Sequence, residues 1–175
     1  MKVPAKEQVS ETSQVLFDQL QKRLGKVPNL YATMGYSPIA LKAFLDFEAT
    51  LNTGVFTAKE REAIALVVSE VNGCAYCLAA HTMAAVKRGF TQEDTMGFRR
   101  GEAEDAKLQA IIRLAKEIAE NKGHVAEVIL NNFYQAGFDE AAVMELIGLV
   151  TVRVFTNYVY ALTDIPVDFP AALPI

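Results

Sequence analysis

Hydrophobic residues recur along most of this chain with the spacing of amphipathic α-helices, and the breaks fall at glycines, prolines and capping residues. The first helix is predicted from about Ser10 to Leu24. Its apolar stripe is expected to consist of Val15, Leu16, Leu20 and Leu24. The pattern therefore predicts that the chain opens on a helix that packs by one face.

The same spacing continues almost to the end of the chain. After a short helical turn opened by Pro28, helices are predicted at residues 38–54, 58–71 and 74–88, in a short segment capped by Thr91, and at 104–122, 124–136 and 139–162. A β-branched run near residues 150–155 is compatible with a strand, but the spacing of Leu146, Leu149 and Val150 fits a helix better. We therefore predict an all-α fold, an antiparallel helical bundle that forms one domain over residues 1–175.

Composition and charge limit the classes of function. Hydrophobic residues make up 51% of the chain, which is more apolar than a small monomer usually requires, so we expect a homo-oligomer. A net charge of −4 leaves no excess of cations for nucleic acid, which is not an expected partner. Residues 1–8 lack the apolar core of a secretory signal, and the apolar run 146–152 is too short to span a membrane. The expected location is the cytoplasm, without membrane attachment.

The two cysteines of the chain lie three residues apart, at Cys74 and Cys77, and His81 follows one helical turn later. On a helix these three side chains fall within about 60° of one another. The spacing also brings the two Cα atoms to roughly 5–5.5 Å, a separation at which a disulfide can form and break without backbone movement. The cluster therefore predicts reversible thiol oxidation.

Elementary chemistry leaves the choice of nucleophile open. A thiolate at Cys74 would gain from the helix N-terminus, whereas His81 could take the proton of Cys77 as a general base. If the helices on either side of the Asn72-Gly73 turn run antiparallel, Glu62 lies near His81 and can orient its ring. Glu70 is the rival carboxylate, but its position nearer the turn sets it opposite Tyr76.

Two other interpretations of the cluster remain. The cysteines could be inert packing residues, although this leaves the histidine and the carboxylate unexplained. Alternatively, Cys74, Cys77, His81 and Glu62 offer four zinc ligands, but three ligands on one helix strain a tetrahedral geometry. A c-type haem site is excluded because Leu78, not histidine, follows the cysteine pair. We predict no cofactor and no metal.

The segment from Thr57 to Glu62, followed by Asn72-Gly73-Cys74-Ala75-Tyr76-Cys77 and Ala80-His81, resembles the alkylhydroperoxidase D / carboxymuconolactone decarboxylase-like family. The flanking sequences Val27-Pro28-Asn29-Leu30, Ser37-Pro38 and Ile165-Pro166-Val167-Asp168-Phe169-Pro170 resemble its peroxidase-related branch, so the similarity extends over most of the chain.

The resemblance implies an all-helical homo-oligomer, a trimer or hexamer, that reduces hydroperoxides with electrons from a thiol or dithiol protein. It implies that Cys77 attacks the peroxide, that Cys74 resolves the sulfenic acid, and that His81 and Glu62 form a proton relay. The chain departs from the mycobacterial-type enzyme at Tyr76, which replaces a second histidine and cannot act as a base at neutral pH. The alternative function is a redox-sensing or interaction protein whose Cys74–Cys77 disulfide switches an assembly.

Overall fold

The computed structural model describes residues 1–175 and contains nine α-helices and no β-strand. A short 3₁₀ turn at Lys6–Gln8 precedes them. The helices are α1 (Glu11–Leu24), α2 (Asn29–Met34), α3 (Pro38–Leu51), α4 (Ala58–Val71), α5 (Ala75–Lys87), α6 (Gln92–Arg100), α7 (Ala106–Glu120), α8 (Glu127–Gln135) and α9 (Glu140–Thr163). The all-α prediction is confirmed, and the β-branched run near residue 150 lies in α9.

Side-chain caps mark most of the helix starts. Ser10, Ser37 and Asp139 each accept a hydrogen bond from a backbone N–H in the first turn of the helix that follows. Thr57 and Glu60 form the reciprocal capping box that the sequence predicts at the start of α4. These local hydrogen bonds satisfy backbone donors that have no partner within the helix, which is why the predicted helix starts agree closely with the observed ones.

The predicted apolar stripe of α1 is wrong in part. Val15 and Leu24 are 56% and 47% exposed, whereas Phe17 and Leu20 are buried. The buried face of α1 is therefore rotated about the helix axis from the predicted face. Leu20 belongs to both stripes, and Phe17 is the large residue three positions before it on the buried face.

The centre of the bundle is α4, which contacts α5, α6, α7 and α9. Its residues 63–68 are at most 1% exposed, which is typical of a helix surrounded by others on all sides. α9 is long and apolar enough to cross a membrane by length and composition, and 44% of its most apolar window is buried within the protein. It packs against α3, α4 and α7, as a core helix does.

A hairpin of α4 and α5 positions the cysteines. Gly73 has a positive φ of 62°, a left-handed conformation that glycine adopts without steric cost, and it reverses the chain between the two helices. The backbone N–H of Cys74 donates to the carbonyl of Ser69 at 2.9 Å, which closes the turn. The two helices run antiparallel, as the topological argument for Glu62 requires.

Candidate functional site

The two cysteines are joined by a disulfide at the start of α5, with their Cα atoms 5.3 Å apart. Cys74 is the N-cap of α5 and not a residue of its first turn, which corrects the position expected from the sequence. Cys77 lies in the first turn, and its backbone N–H donates to Cys74 Sγ at 3.2 Å. Both sulfurs therefore lie at the amino end of the helix, where the helix dipole favours negative charge.

Both cysteines are buried, with 1% exposure for Cys74 and 3% for Cys77. They differ in what they face, because Cys77 lines a cavity bounded by several helices and Cys74 does not. Thr156 of α9 lines the same cavity, and its Oγ1 lies 4.0 Å from the sulfur of Cys77. A small molecule in the cavity can thus contact Cys77 without contacting Cys74.

His81 and Glu62 are hydrogen-bonded across the α4–α5 hairpin, with 2.8 Å between His81 Nδ1 and Glu62 Oε2. The other carboxylate oxygen, Oε1, accepts from Arg88 Nε at 2.9 Å. Because an ionised carboxylate can only accept, the hydrogen-bond network assigns the ring proton to Nδ1. The neutral imidazole then has its lone pair on Nε2, which is free to accept a proton.

The Glu62 carboxylate is ionised over the physiological pH range. Burial by itself would raise its pKa, but the hydrogen bond and charge of His81, with further contributions from Arg88 and Arg153, outweigh it and lower the pKa to about 2. Glu70 forms an ion pair with Arg99 Nε at 2.7 Å and not with His81. Of the two carboxylates considered from the sequence, Glu62 is the one that contacts the histidine.

A second ion pair lies in the same cavity and was missed from the sequence. Arg153 Nη2 of α9 donates to Glu48 Oε1 of α3 at 2.6 Å, and both side chains are largely buried. Burial and then the charge of Glu48 raise the pKa of the neighbouring Tyr31 far above its usual range. One feature of the sequence could have indicated this pair. Arg153 is a cation within the apolar sequence of α9, and a buried cation requires a partner of opposite charge.

Tyr76, between the two cysteines, holds the C-terminal segment of the chain. Its hydroxyl donates to Asp168 Oδ1 at 2.6 Å and accepts from the backbone N–H of Leu30 at 3.2 Å. The ring of Phe169 packs edge-on against that of Tyr76, and Lys26 Nζ forms an ion pair with Asp168 at 2.8 Å. Burial, followed by the hydrogen bond to Asp168, raises the pKa of Tyr76, so this phenol stays protonated.

The cavity that Cys77 faces has a volume of about 540 Å³ and is lined by residues of α1 to α5 and α9 and by Phe169 near the C-terminus. His81, Glu62 and the Arg153–Glu48 pair also line it. This volume is within the range typical of small-molecule sites. No group of three or more histidine, cysteine, aspartate or glutamate side chains is arranged to hold a metal ion.

Comparisons with known proteins agree with this architecture. Residues 38–120, which contain α3 to α7 and the α4–α5 hairpin, match the model of the carboxymuconolactone decarboxylase family. A curated relative, the uncharacterized protein YdfG of Bacillus subtilis, is 35% identical over 57 residues, which are 33% of this chain. The match covers 39% of that protein's length.

Solved structures share the fold along nearly the whole chain. A peroxidase-related protein from Silicibacter sp. TM1040 is 24% identical and superposes with a TM-score of 0.80, covering 97% of this chain and 89% of its own. A peroxidase-related protein from Ralstonia eutropha JMP134, described as an alkylhydroperoxidase AhpD core, is 19% identical with a TM-score of 0.81, covering 91% and 87%. The debrominase Bmp8, solved with 2,3,4-tribromopyrrole, is 18% identical with a TM-score of 0.77, covering 90% and 86%.

The sequence match includes the cysteine pair, His81 and Glu62, and the shared fold extends to the helices on both sides of the matched residues. Residues 38–120 of the chain are therefore similar to the carboxymuconolactone decarboxylase family, and the chain as a whole has the fold of these solved structures.

Proposed function

We propose that this protein is a cytoplasmic thiol-dependent peroxidase that reduces hydroperoxides through the Cys74–Cys77 dithiol, as a single helical domain over residues 1–175. One observation carries the proposal: Cys77, disulfide-bonded to Cys74, lines the same cavity as His81, whose Nδ1 contacts the buried Glu62 carboxylate. A redox-active pair, a base and a group that orients the base thus lie around one small-molecule cavity.

Cys77 is the nucleophile in this proposal. It lines the cavity, and it precedes His81 by four residues on α5, a spacing at which side chains on one helix face are about 5–6 Å apart. His81 Nε2 accepts the thiol proton, directly or through a water molecule, and leaves a thiolate. Glu62 keeps the ring in the productive tautomer and stabilises the imidazolium that forms.

The first chemical step reduces the peroxide. The Cys77 thiolate attacks the terminal oxygen of the hydroperoxide, an S–O bond forms, and the O–O bond breaks. The departing alkoxide takes the proton held by His81 and leaves as an alcohol. Sulfur has then lost two electrons to the peroxide, and Cys77 is a sulfenic acid.

The second step forms the disulfide. The Cys74 sulfur, deprotonated, attacks the sulfur of Cys77, the S–S bond forms, and the S–O bond breaks as hydroxide takes a proton and leaves as water. The Cα separation of 5.3 Å lets this occur without rearrangement of the backbone. An external dithiol or thiol protein then reduces the disulfide by thiol–disulfide exchange and becomes oxidised itself.

The test is turnover. Hydroperoxide consumption is followed with the reduced protein and a large molar excess of dithiothreitol, with Cys77→Ser as the variant that lacks the nucleophile. Consumption of many equivalents that depends on Cys77 supports the peroxidase. A single stoichiometric oxidation followed by a change in oligomeric state would instead support the redox-sensing alternative, and no oxidation of either cysteine would contradict both.

The proposal includes a homo-oligomer, which an apolar stripe on α9 supports. The stripe consists of Met144, Ile147, Phe155, Tyr158 and Leu162, which recur at helical spacing and are 40% to 85% exposed. A second copy of the chain would remove this surface from water. Sedimentation of the protein and of Leu162→Glu tests this, because a charge on the stripe should weaken association, whereas a wild-type monomer at micromolar concentration would contradict it.

A further inference from the structure

The cavity is strongly cationic although the protein as a whole is acidic. Its lining contains six cationic side chains, Arg23, Lys26, Arg61, Lys87, Arg88 and Arg153. Only two carboxylates, Glu48 and Glu62, line it with them, whereas the whole chain has a net charge of −4. The cations are therefore concentrated at this cavity, and clefts with one sign of charge attract ligands of the opposite sign.

Three of the six cations are already neutralised by protein carboxylates. The pairs are Lys26–Asp168, Arg88–Glu62 and Arg153–Glu48. The remaining three, Arg23, Arg61 and Lys87, have no carboxylate within 4.0 Å. The cavity is therefore lined by three cations that form no ion pair with a carboxylate of the protein.

Arg61 is the most informative of these unpaired cations. It is half-buried in the first turn of α4, directly before Glu62, and its Nη1 donates to the carbonyl of Phe56. Burial and then the charge of Arg88 lower its pKa, although a guanidinium still remains charged at neutral pH. A partly desolvated cation that forms no ion pair is stabilised by an anion that binds beside it.

Nine of the 21 lining residues are hydrophobic, and the space is large. Leu24, Leu30, Met83 and Phe169 contribute hydrophobic surface to the cavity. Its volume of about 540 Å³ is many times the roughly 30 Å³ that one water molecule occupies in the liquid, so hydrogen peroxide would leave it mostly filled by solvent. An apolar wall combined with unbalanced cations fits an amphiphilic organic anion.

We infer that the substrate is an organic hydroperoxide that carries a carboxylate, bound with its carboxylate at Arg61 and its apolar body against the hydrophobic wall. This inference rests on the proposed peroxidase function and specifies its substrate class. The carboxylate takes no part in the chemistry: the hydroperoxide group is reduced to an alcohol at Cys77 by the steps given above, while the charge holds the molecule in the cavity.

A matched pair of substrates tests the inference. Cumene hydroperoxide bearing a para-carboxylate is compared with its methyl ester, which has the same hydroperoxide and a similar apolar body without the charge. We expect kcat/KM to be about tenfold higher for the acid at low ionic strength, since one charged hydrogen-bonded contact contributes about 1.5 kcal/mol or more. The preference should decline as salt is added. Equal values for acid and ester would overturn the inference.

Variants assign the preference to Arg61. Arg61→Gln should lower kcat/KM for the acid about tenfold more than for the ester, and Arg61→Lys should retain most of the preference because the charge remains. The control is Arg113→Gln, which removes an exposed arginine of α7 that does not line the cavity and has no ion pair. An unchanged acid preference in Arg61→Gln would contradict the assignment.

Failure of the proposed function can be distinguished from failure of this inference. If neither hydroperoxide is turned over, the peroxidase function is wrong, and binding of para-isopropylbenzoate measured by calorimetry then decides whether the cavity takes organic anions. Binding that is weakened by Arg61→Gln would support the anion site independently of turnover. The inferred anion site would be overturned if para-isopropylbenzoate did not bind, or if the neutral para-isopropylbenzamide bound equally well.

Discussion

Glu62 Oε2 lies 2.8 Å from His81 Nδ1, so that two residues nineteen positions apart form one hydrogen-bonded unit across the α4–α5 hairpin. Glu62 is 8% exposed, and its carboxylate is also held by Arg88. Because Glu62 engages Nδ1, the imidazole can present only Nε2 as a base. The predictions below test this unit and the groups around it.

Replacement of His81 should weaken the activation of Cys77. In His81→Ala the apparent pKa of the thiol should rise, because neither a proton acceptor nor an imidazolium charge remains beside it. Removal of a general base of this kind lowers rates by about 100-fold or more. The pH dependence of iodoacetamide alkylation and kcat/KM for peroxide measure the two effects, with the exposed His124→Ala as the control. An unchanged alkylation profile would remove His81 from the mechanism.

The two cysteines should behave differently when each is removed. Cys77→Ser should yield no trapped sulfenic acid after peroxide treatment, because the proposed nucleophile is absent. Cys74→Ser should accumulate sulfenic acid at Cys77, since no neighbouring thiol resolves it. Dimedone labelling followed by mass spectrometry measures both variants. The opposite pattern would exchange the two roles.

Glu62 should contribute to stability in a defined range of pH. Its folded-state pKa of about 2 is below the ordinary 4.5, so its contribution is fully present above about 4.5 and is lost as the pH falls towards 2. The difference corresponds to roughly 3 kcal/mol. Glu62→Gln should therefore be destabilised at neutral pH and should lose less stability than the wild type between these two pH values.

Urea unfolding at a series of pH values measures the effect of Glu62→Gln. Glu104→Gln is the matched control, because Glu104 is exposed and has no ion pair. If the wild type and Glu62→Gln lose stability in parallel over this range, the ion pairs of Glu62 do not stabilise the fold as argued.

Tyr76 should act as an attachment point for the C-terminal segment. Tyr76→Phe removes the hydrogen bonds to Asp168 and to the backbone N–H of Leu30 and should cost about 1–2 kcal/mol. Hydrogen exchange should increase in residues 165–170 in particular. Tyr158→Phe, at a side chain that is 63% exposed, is the control and should leave exchange there unchanged. Faster exchange throughout the protein would indicate general destabilisation.

Helix boundaries were largely predictable because their signals are local. Ser10, Ser37, Thr57 and Asp139 cap helices through hydrogen bonds to backbone groups three residues away, and such contacts need no tertiary structure. The apolar stripe of α1 was predicted incorrectly because it depends on tertiary contacts and not on local signals. Which side of that helix is buried depends on the helices that pack against it, and Phe17 was favoured over Val15 by contacts made only in the fold.

The predicted start of α5 was wrong by one residue, at Cys74. The sequence predicted the spacing of the disulfide correctly, but the first helical turn begins one residue after Cys74, so this residue caps the helix from outside. Spacing depends on covalent geometry and helical rise, whereas the exact start of a helix depends on the turn before it.

The sequence by itself determined the helical fold, the cysteine pair and its partner histidine, because capping, periodicity and spacing along one helix are properties of the local chain. The antiparallel hairpin even allowed Glu62 to be identified as the neighbouring carboxylate. Only the tertiary structure decided that Cys77 faces a cavity, that Arg153 pairs with Glu48, and that unpaired cations surround the space. These relationships join residues from separate helices, and their distances depend on how all the helices pack.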